Sequence, residues 1–208
     1  MKILDFTLTY EEGMRGVAFE NAKSKSVDGW NSKTLHLYSH SGTHMDAPFH
    51  FEVNNQTIDE FEVSRFVCES WVIPIDAHAG QKIKSADLGV YADLINKGDG
   101  VILKTGWSAY VNENKYRDQL PGIHASLANW FVVKGINMVA VETPSIADVM
   151  DLEEVTKIHE ILLGGDIIIV EGLTNLDSVS KEKVKLIALP LKIKGGDGAP
   201  ARVIAMER

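Results

Sequence analysis

The chain has 208 residues, 45% of them hydrophobic, which suits a single domain over residues 1–208 with a sizeable core. Its formal net charge of -8 and pI near 5.4 give no electrostatic reason to expect a nucleic acid or an anionic membrane as partner, since both need clustered Lys and Arg. A small-molecule substrate is the expected ligand.

The first ten residues lack the continuous apolar run of a signal peptide, and no stretch reaches the roughly 18 apolar residues of a spanning helix. Cys68 is the only cysteine, so an intrachain disulfide is impossible and a soluble, cytoplasmic protein is expected. Cys68 itself reads as a small apolar filler near the strand at 70–76, not as a nucleophile.

Strands are expected over 3–8 and 34–39, separated by a polar, mixed segment over 11–33 that reads as a long loop. A strand over 71–75 precedes a helix capped by Ser85 and running to Ile95. After a strand over 101–104, Pro121 suits the first turn of a helix towards Lys134, with Gly135 behind it. A strand over 138–141 leads to a helix opened by Asp151 and closed by Gly164-Gly165. Its apolar stripe is Leu152, Val155, Ile158 and Leu162, with His159 on the inward edge. Further strands are expected over 167–170, 185–191 and 201–206. Gly195-Gly196-Asp197-Gly198 is not followed by a helical pattern, so it reads as a turn and not a phosphate loop. The first third has almost no helical periodicity, which disfavours a regular alternating βαβ sheet. The expected class is α/β with a β-rich, layered or barrel-like core and a few packed helices.

The densest chemistry lies in His40-Ser-Gly-Thr-His44-Met-Asp46-Ala-Pro-Phe-His50, which places three of the chain's seven histidines and a carboxylate within eleven residues. Such a donor set suits a transition metal. All four polar residues occupy even positions, so a strand would present them on one face, but ten extended steps would span about 33 Å. The segment must therefore bend, and Gly42 and Pro48 permit that while opposing the helix that the i,i+4 spacings would otherwise suggest. Downstream, His159 faces inward from a helix, and Glu171 ends a fully apolar strand where an unpartnered carboxylate is costly. Both could complete the metal site.

The eleven-residue stretch resembles the H-x-G-T-H-x-D-x-P-x-H signature of the metal-dependent cyclase superfamily, which contains bacterial kynurenine formamidase and isatin hydrolase. Lys104-Thr-Gly-Trp107, Val141-Glu-Thr-Pro-Ser-Ile-Ala-Asp148, His159 and Ile169-Val-Glu-Gly-Leu-Thr-Asn-Leu176 resemble further family segments in the same order. The resemblance implies a layered β/β/α, swivelling-domain fold, two divalent metal ions per chain (Zn2+, or Mn2+ in its place) and a homodimer or higher homo-oligomer. It implies His40 and His44 as ligands of the first metal, Asp46 and Glu171 as bridging carboxylates and His159 as a ligand of the second. It implies His50 as proton donor and acceptor. The expected activity is metal-dependent hydrolysis of an amide, of arylformamidase type. Hydrolysis of a cyclic amide or lactone, and metal binding without turnover, are the competing readings. The N-terminal loop departs from the formamidase pattern, leaving Phe19, Trp30 or Tyr10 to replace its aromatic clamp. Phe19 and Trp107 are the candidate substrate contacts, and Glu142 stands where many relatives carry Asp.

Overall fold

The structure, a computed structural model, describes residues 1–207. Its first elements are β1 (Lys2–Asp5), β2 (Val17–Lys23), α1 (Lys25–Asp28), β3 (Ser32–Leu37), β4 (His44–Asp46), β5 (Val67–Pro74), β6 (Lys82–Ile83) and α2 (Tyr91–Leu94). There follow β7 (Gly100–Lys104), α3 (Lys115–Asp118), β8 (Gly122–Ile123), α4 (Ala125–Lys134), β9 (Met138–Val141), α5 (Leu152–Gly164), β10 (Ile168–Glu171), β11 (Lys183–Pro190) and β12 (Gly198–Glu207).

Strands β12, β11, β5, β7, β9, β10 and β4 pair in that order, and β4 also pairs with β12, so seven strands close into a barrel. Strand β1 is appended antiparallel to β12. Strands β5, β7, β9 and β10 are parallel neighbours, and parallel pairs need long crossovers, which α4 and α5 help to supply. Burial on both faces explains why β7, β9 and β10 are apolar up to their last residue. Ile102, Ala140, Ile168 and Val170 turn into the barrel, while Leu103, Val139, Val141 and Ile169 turn outward under Phe131, Ile158 and Leu162 of the helices. Phe131 is fully buried in that layer, and truncating it to Ala would cost about 3–5 kcal/mol. Ala188, Ala201 and Ala205 keep the lumen narrow, and Cys68 is buried there as apolar filler.

Asp151 caps α5 by accepting the Glu154 N–H at 3.0 Å, as expected, but Leu152 is exposed and the buried stripe begins at Val155. The helix expected over 85–95 is split: Ser85–Leu88 is a 3-10 turn and α2 is a separate piece, because Gly89 takes φ 53°, ψ -133°. The helix expected from Pro121 begins at Ala125 behind the His124 cap. Gly122 and Ile123 instead pair with Lys82 and Ile83, while Gly135 ends the helix in the left-handed region as expected. The 11–33 loop is also corrected, since β2 and β3 pair as a separate antiparallel hairpin. Exposed polar residues on both faces of β2 had masked its alternation.

Candidate metal centre

The eleven-residue segment bends at both ends of a three-residue strand. Gly42 takes φ +59° before β4, and Pro48 opens a 3-10 turn, Pro48–Phe51, after it. Met45 points into the barrel, so His44 and Asp46 point outward, towards α5. Strand β10 presents Glu171 directly opposite His44, and β12 presents Gly198 opposite Asp46. Gly172, at φ +70°, packs its backbone onto that of Gly42, and the Thr43 hydroxyl donates to the Gly172 carbonyl at 2.6 Å, joining the two bent segments.

This arrangement brings all five expected ligands together. His44 Nε2 lies 3.0 Å from Glu171 Oε2, and His40 Nδ1 lies 2.9 Å from Asp46 Oδ1. His159 Nε2, from α5, stands 3.4 Å from Asp46 Oδ2 and 3.5 Å from Glu171 Oε1. His50 joins them from the 3-10 turn, its ring stacked on His40 at 3.8 Å between centroids. The centre is deeply buried: Asp46 is 1% exposed and His159 2%.

The electrostatics follow from that burial. Desolvation opposes a charge on His40, yet Asp46 and Asp197 outweigh it and raise its pKa to about 9. Desolvation likewise opposes a charge on His159, but Asp46 and Glu171 raise it to about 10. Burial works against ionisation of Asp46, but attraction from His159, His40 and His44 holds its carboxyl well below the usual range. For Glu171, burial and the Asp46 charge push upward, and His159 and His44 bring the net shift downward. His50 has the opposite sense, because burial dominates and lowers its pKa below 6.5.

Asp46 Oδ2 is buried and accepts no hydrogen bond among the described residues, since the His159 contact is an attraction without hydrogen-bond geometry. An orphaned carboxylate oxygen is unfavourable unless a cation meets it. Two donor sets share Asp46: His40, Asp46 and His50 in one, His44, Asp46 and Glu171 in the other. Nitrogen and carboxylate donors without thiolate fit a divalent metal such as zinc, manganese or iron.

A cavity of about 240 Å³ opens over the centre, with Tyr38, Phe51, Arg15 and Arg117 on its walls beside His50 and His159. Phe51 stacks on His159 at 4.4 Å. The structure brings neither expected substrate contact to this cavity. Phe19 lies on β2 with Lys33 Nζ 5.0 Å above its ring, and Trp107 is 4% exposed, packs with Tyr116 and Leu120, and donates from Nε1 to the Tyr116 carbonyl at 2.9 Å. Glu142 is also structural. Its buried carboxylate accepts from the Thr105 and Gly106 N–H groups, each at 2.6 Å, and from the Ser108 hydroxyl at 2.7 Å, anchoring the turn after β7.

Sequence reasoning missed Asp197, whose Oδ2 lies 2.9 Å from His40 Nε2 and 3.7 Å from His50 Nδ1. Its glycine-rich surroundings signal a turn and nothing about the site. Arg15 and Arg117 were missed too, because no local pattern distinguishes them from other surface cations.

Residues 4–148 match the Cyclase family. The kynurenine formamidase of Bacillus thuringiensis subsp. konkukian is 30% identical over 188 residues, which cover 90% of this chain and 84% of that one. The kynurenine formamidase of Salinibacter ruber is 31% identical over 174 residues, covering 84% and 79%. Among solved structures, isatin hydrolase A from Labrenzia aggregata bound to benzyl benzoate superimposes with a TM-score of 0.89 at 24% identity, covering 99% of this chain and 93% of that one. A structure described as a potential metal-dependent hydrolase with cyclase activity gives 0.81 at 25% identity, covering 100% and 98%.

Proposed function

The chain belongs to the Cyclase family, and we propose that it hydrolyses the amide bond of an N-formylated aromatic amine, as an arylformamidase does, with two divalent ions in the centre, both zinc or, in its place, manganese. In broader terms it is a metal-dependent hydrolase of carbon–nitrogen bonds other than peptide bonds. The observation that carries this reading is the convergence of His40, His44, Asp46, His159 and Glu171 around the unpartnered Asp46 Oδ2.

Divalent ions held by His40, His44, Asp46, His159 and Glu171 would supply Lewis-acid polarisation of a carbonyl and a water of lowered pKa. The residues of the chain do the rest. Asp46 and Glu171 supply the negative charge that retains the cations, and the helix α5 brings His159 to the same point. His50, neutral because burial lowers its pKa, accepts the proton as the C–O bond forms. It returns that proton to the nitrogen as the C–N bond breaks, so a neutral amine leaves together with formic acid, which keeps the second proton of the water and loses it to solvent as formate. Tyr38 and Phe51 offer aromatic walls for an aryl group. Arg15 and Arg117 give the cavity a cationic edge suited to a substrate carboxylate.

Metal quantification together with a panel of N-formyl anilines, cyclic imides, isatin and lactones tests the reading. Bound metal with turnover of the formanilides supports it; less than one transition metal per chain after zinc or manganese supplementation overturns it. Faster turnover of the cyclic amides or lactones would favour ring opening by the same residues. Bound metal without any turnover would leave a metal-binding protein.

We further assign the protein to the cytoplasm, on its lone, free and buried Cys68, and to a homodimer. No helix among the described residues is long and apolar enough to cross a membrane. The β2–β3 hairpin supports the dimer because it exposes Leu35 and, in its connecting segment, Trp30. A monomer in sedimentation equilibrium at micromolar concentration would contradict the dimer.

A further inference from the structure

An imidazole that serves a metal through one ring nitrogen carries its proton on the other, and that second nitrogen needs an acceptor to fix the tautomer. Two histidines of the centre obtain it from the backbone. His44 Nδ1 lies 3.1 Å from the Gly42 carbonyl, and His159 Nδ1 lies 2.7 Å from the Val155 carbonyl. Both protons are thereby placed on Nδ1, and both Nε2 atoms face the carboxylates. His40 is built the other way round. Its Nδ1 faces Asp46 at 2.9 Å, and its Nε2 meets a side chain, Asp197 Oδ2, also at 2.9 Å.

We propose that Asp197 is the positioning residue of His40: it accepts the Nε2–H, keeps the proton there, and leaves Nδ1 as the metal-binding nitrogen beside Asp46. This rests on the reading of the centre as a metal site. Asp197 is placed for the task by the fold. Its carbonyl accepts the Ala47 N–H at 2.9 Å, and the Ser39 hydroxyl donates to Oδ2 at 3.4 Å. The next residue, Gly198, stands opposite Asp46 in the β4–β12 ladder. A Cβ at Gly198 would come within 2.6 Å of His40 Cε1, so only glycine leaves room for the ring between this strand and the Asp197 carboxylate. The side chain of Asp197 is 39% exposed against 1% for Asp46, which separates it from the buried donor set. Its 3.7 Å separation from His50 Nδ1 exceeds a hydrogen bond, so His40 is its direct partner.

The test is zinc titration by calorimetry of the wild type, Asp197→Asn and Asp197→Ala, with nitrogen NMR of the histidines in the zinc-loaded wild type. The expected results are a His40 proton on Nε2, and zinc affinity about 10- to 100-fold weaker in both variants with the same number of ions bound. Loss of one whole ion in both variants would make Asp197 a ligand and overturn the positioning role. A His40 proton on Nδ1 would overturn it too, and needs no variant to fold. Wild-type uptake of zinc with unchanged affinity in the variants defeats the Asp197 assignment alone. Absence of zinc uptake by the wild type defeats the metal reading itself, and the assignment with it.

Discussion

Glu171 stands directly opposite His44 in the β4–β10 ladder, and this register sets His44 Nε2 3.0 Å from Glu171 Oε2 across two segments 127 positions apart (171 − 44). A slip of one residue would turn either side chain into the barrel, so the same pairing that closes the barrel also completes the site.

The ligands are expected to be jointly required. His44→Ala and Asp46→Ala should each lose bound metal and, with it, at least a thousandfold in kcat/KM, read by elemental analysis and by turnover of a formanilide. Removing metal from the wild type with a chelator should lower its melting temperature, because an ion that binds only the folded state stabilises it. Full metal content in Asp46→Ala would contradict the shared role of that carboxylate.

His50 should behave differently from the ligands. His50→Ala is expected to keep most of its metal while kcat falls about 10²- to 10⁴-fold, the usual contribution of general acid–base catalysis. Because burial lowers the His50 pKa, the acid limb of kcat/KM should fall below pH 6.5. An acid limb above that value would point to another proton carrier.

The metal-free protein has two imidazoles raised against burial by their carboxylate neighbours, His40 to about 9 and His159 to about 10. Folded values above the ordinary 6.5 give stability that is fully present below pH 6.5 and is lost as pH rises through 9 to 10. The melting temperature of the metal-free protein should therefore drop over that window. Metal affinity should rise over the same window, because binding must displace both protons. Calorimetry in buffers of different ionisation enthalpy should detect proton release on zinc binding at pH 7, and its absence would show that the imidazoles are already neutral.

Arg15 and Arg117 line the cavity over the centre, and Arg117 has loose partners, Asp118 at 3.5 Å and the Met150 sulfur at 3.4 Å, contacts of little strength near the surface. Arg15→Ala and Arg117→Ala should each raise KM about tenfold for a formanilide bearing a carboxylate, with KM for its methyl ester nearly unchanged. Equal losses for acid and ester would remove the arginines from substrate recognition.

Glu142 holds the turn after β7 through backbone and hydroxyl donors. Glu142→Ala leaves those groups without an acceptor and should destabilise the protein by about 3 kcal/mol in urea unfolding. A loss of metal without a loss of stability would instead place Glu142 in the centre.

The bend around Gly42 and Pro48, the donors His40, His44, Asp46 and His50, and the cap and inward histidine of α5 were legible because each follows from local spacing and local chemistry. The apolar strands were legible for the same reason, and their burial on both faces identified a core without revealing that it closes. Local signals misled where short-range turn chemistry overrode periodicity, as at Gly89, and where strands bury neither face, as in the β2–β3 hairpin. Packing places Phe19 on the hairpin and Trp107 in a cluster with Tyr116, positions that no local pattern signals. The sequence alone determined which residue types could hold a divalent metal and where the main-chain bend had to occur. The tertiary structure decided which nitrogen meets which carboxylate, that Asp197 reaches His40, and that Arg15 and Arg117 edge the cavity, because these relations depend on strand register and barrel closure between segments far apart in the chain.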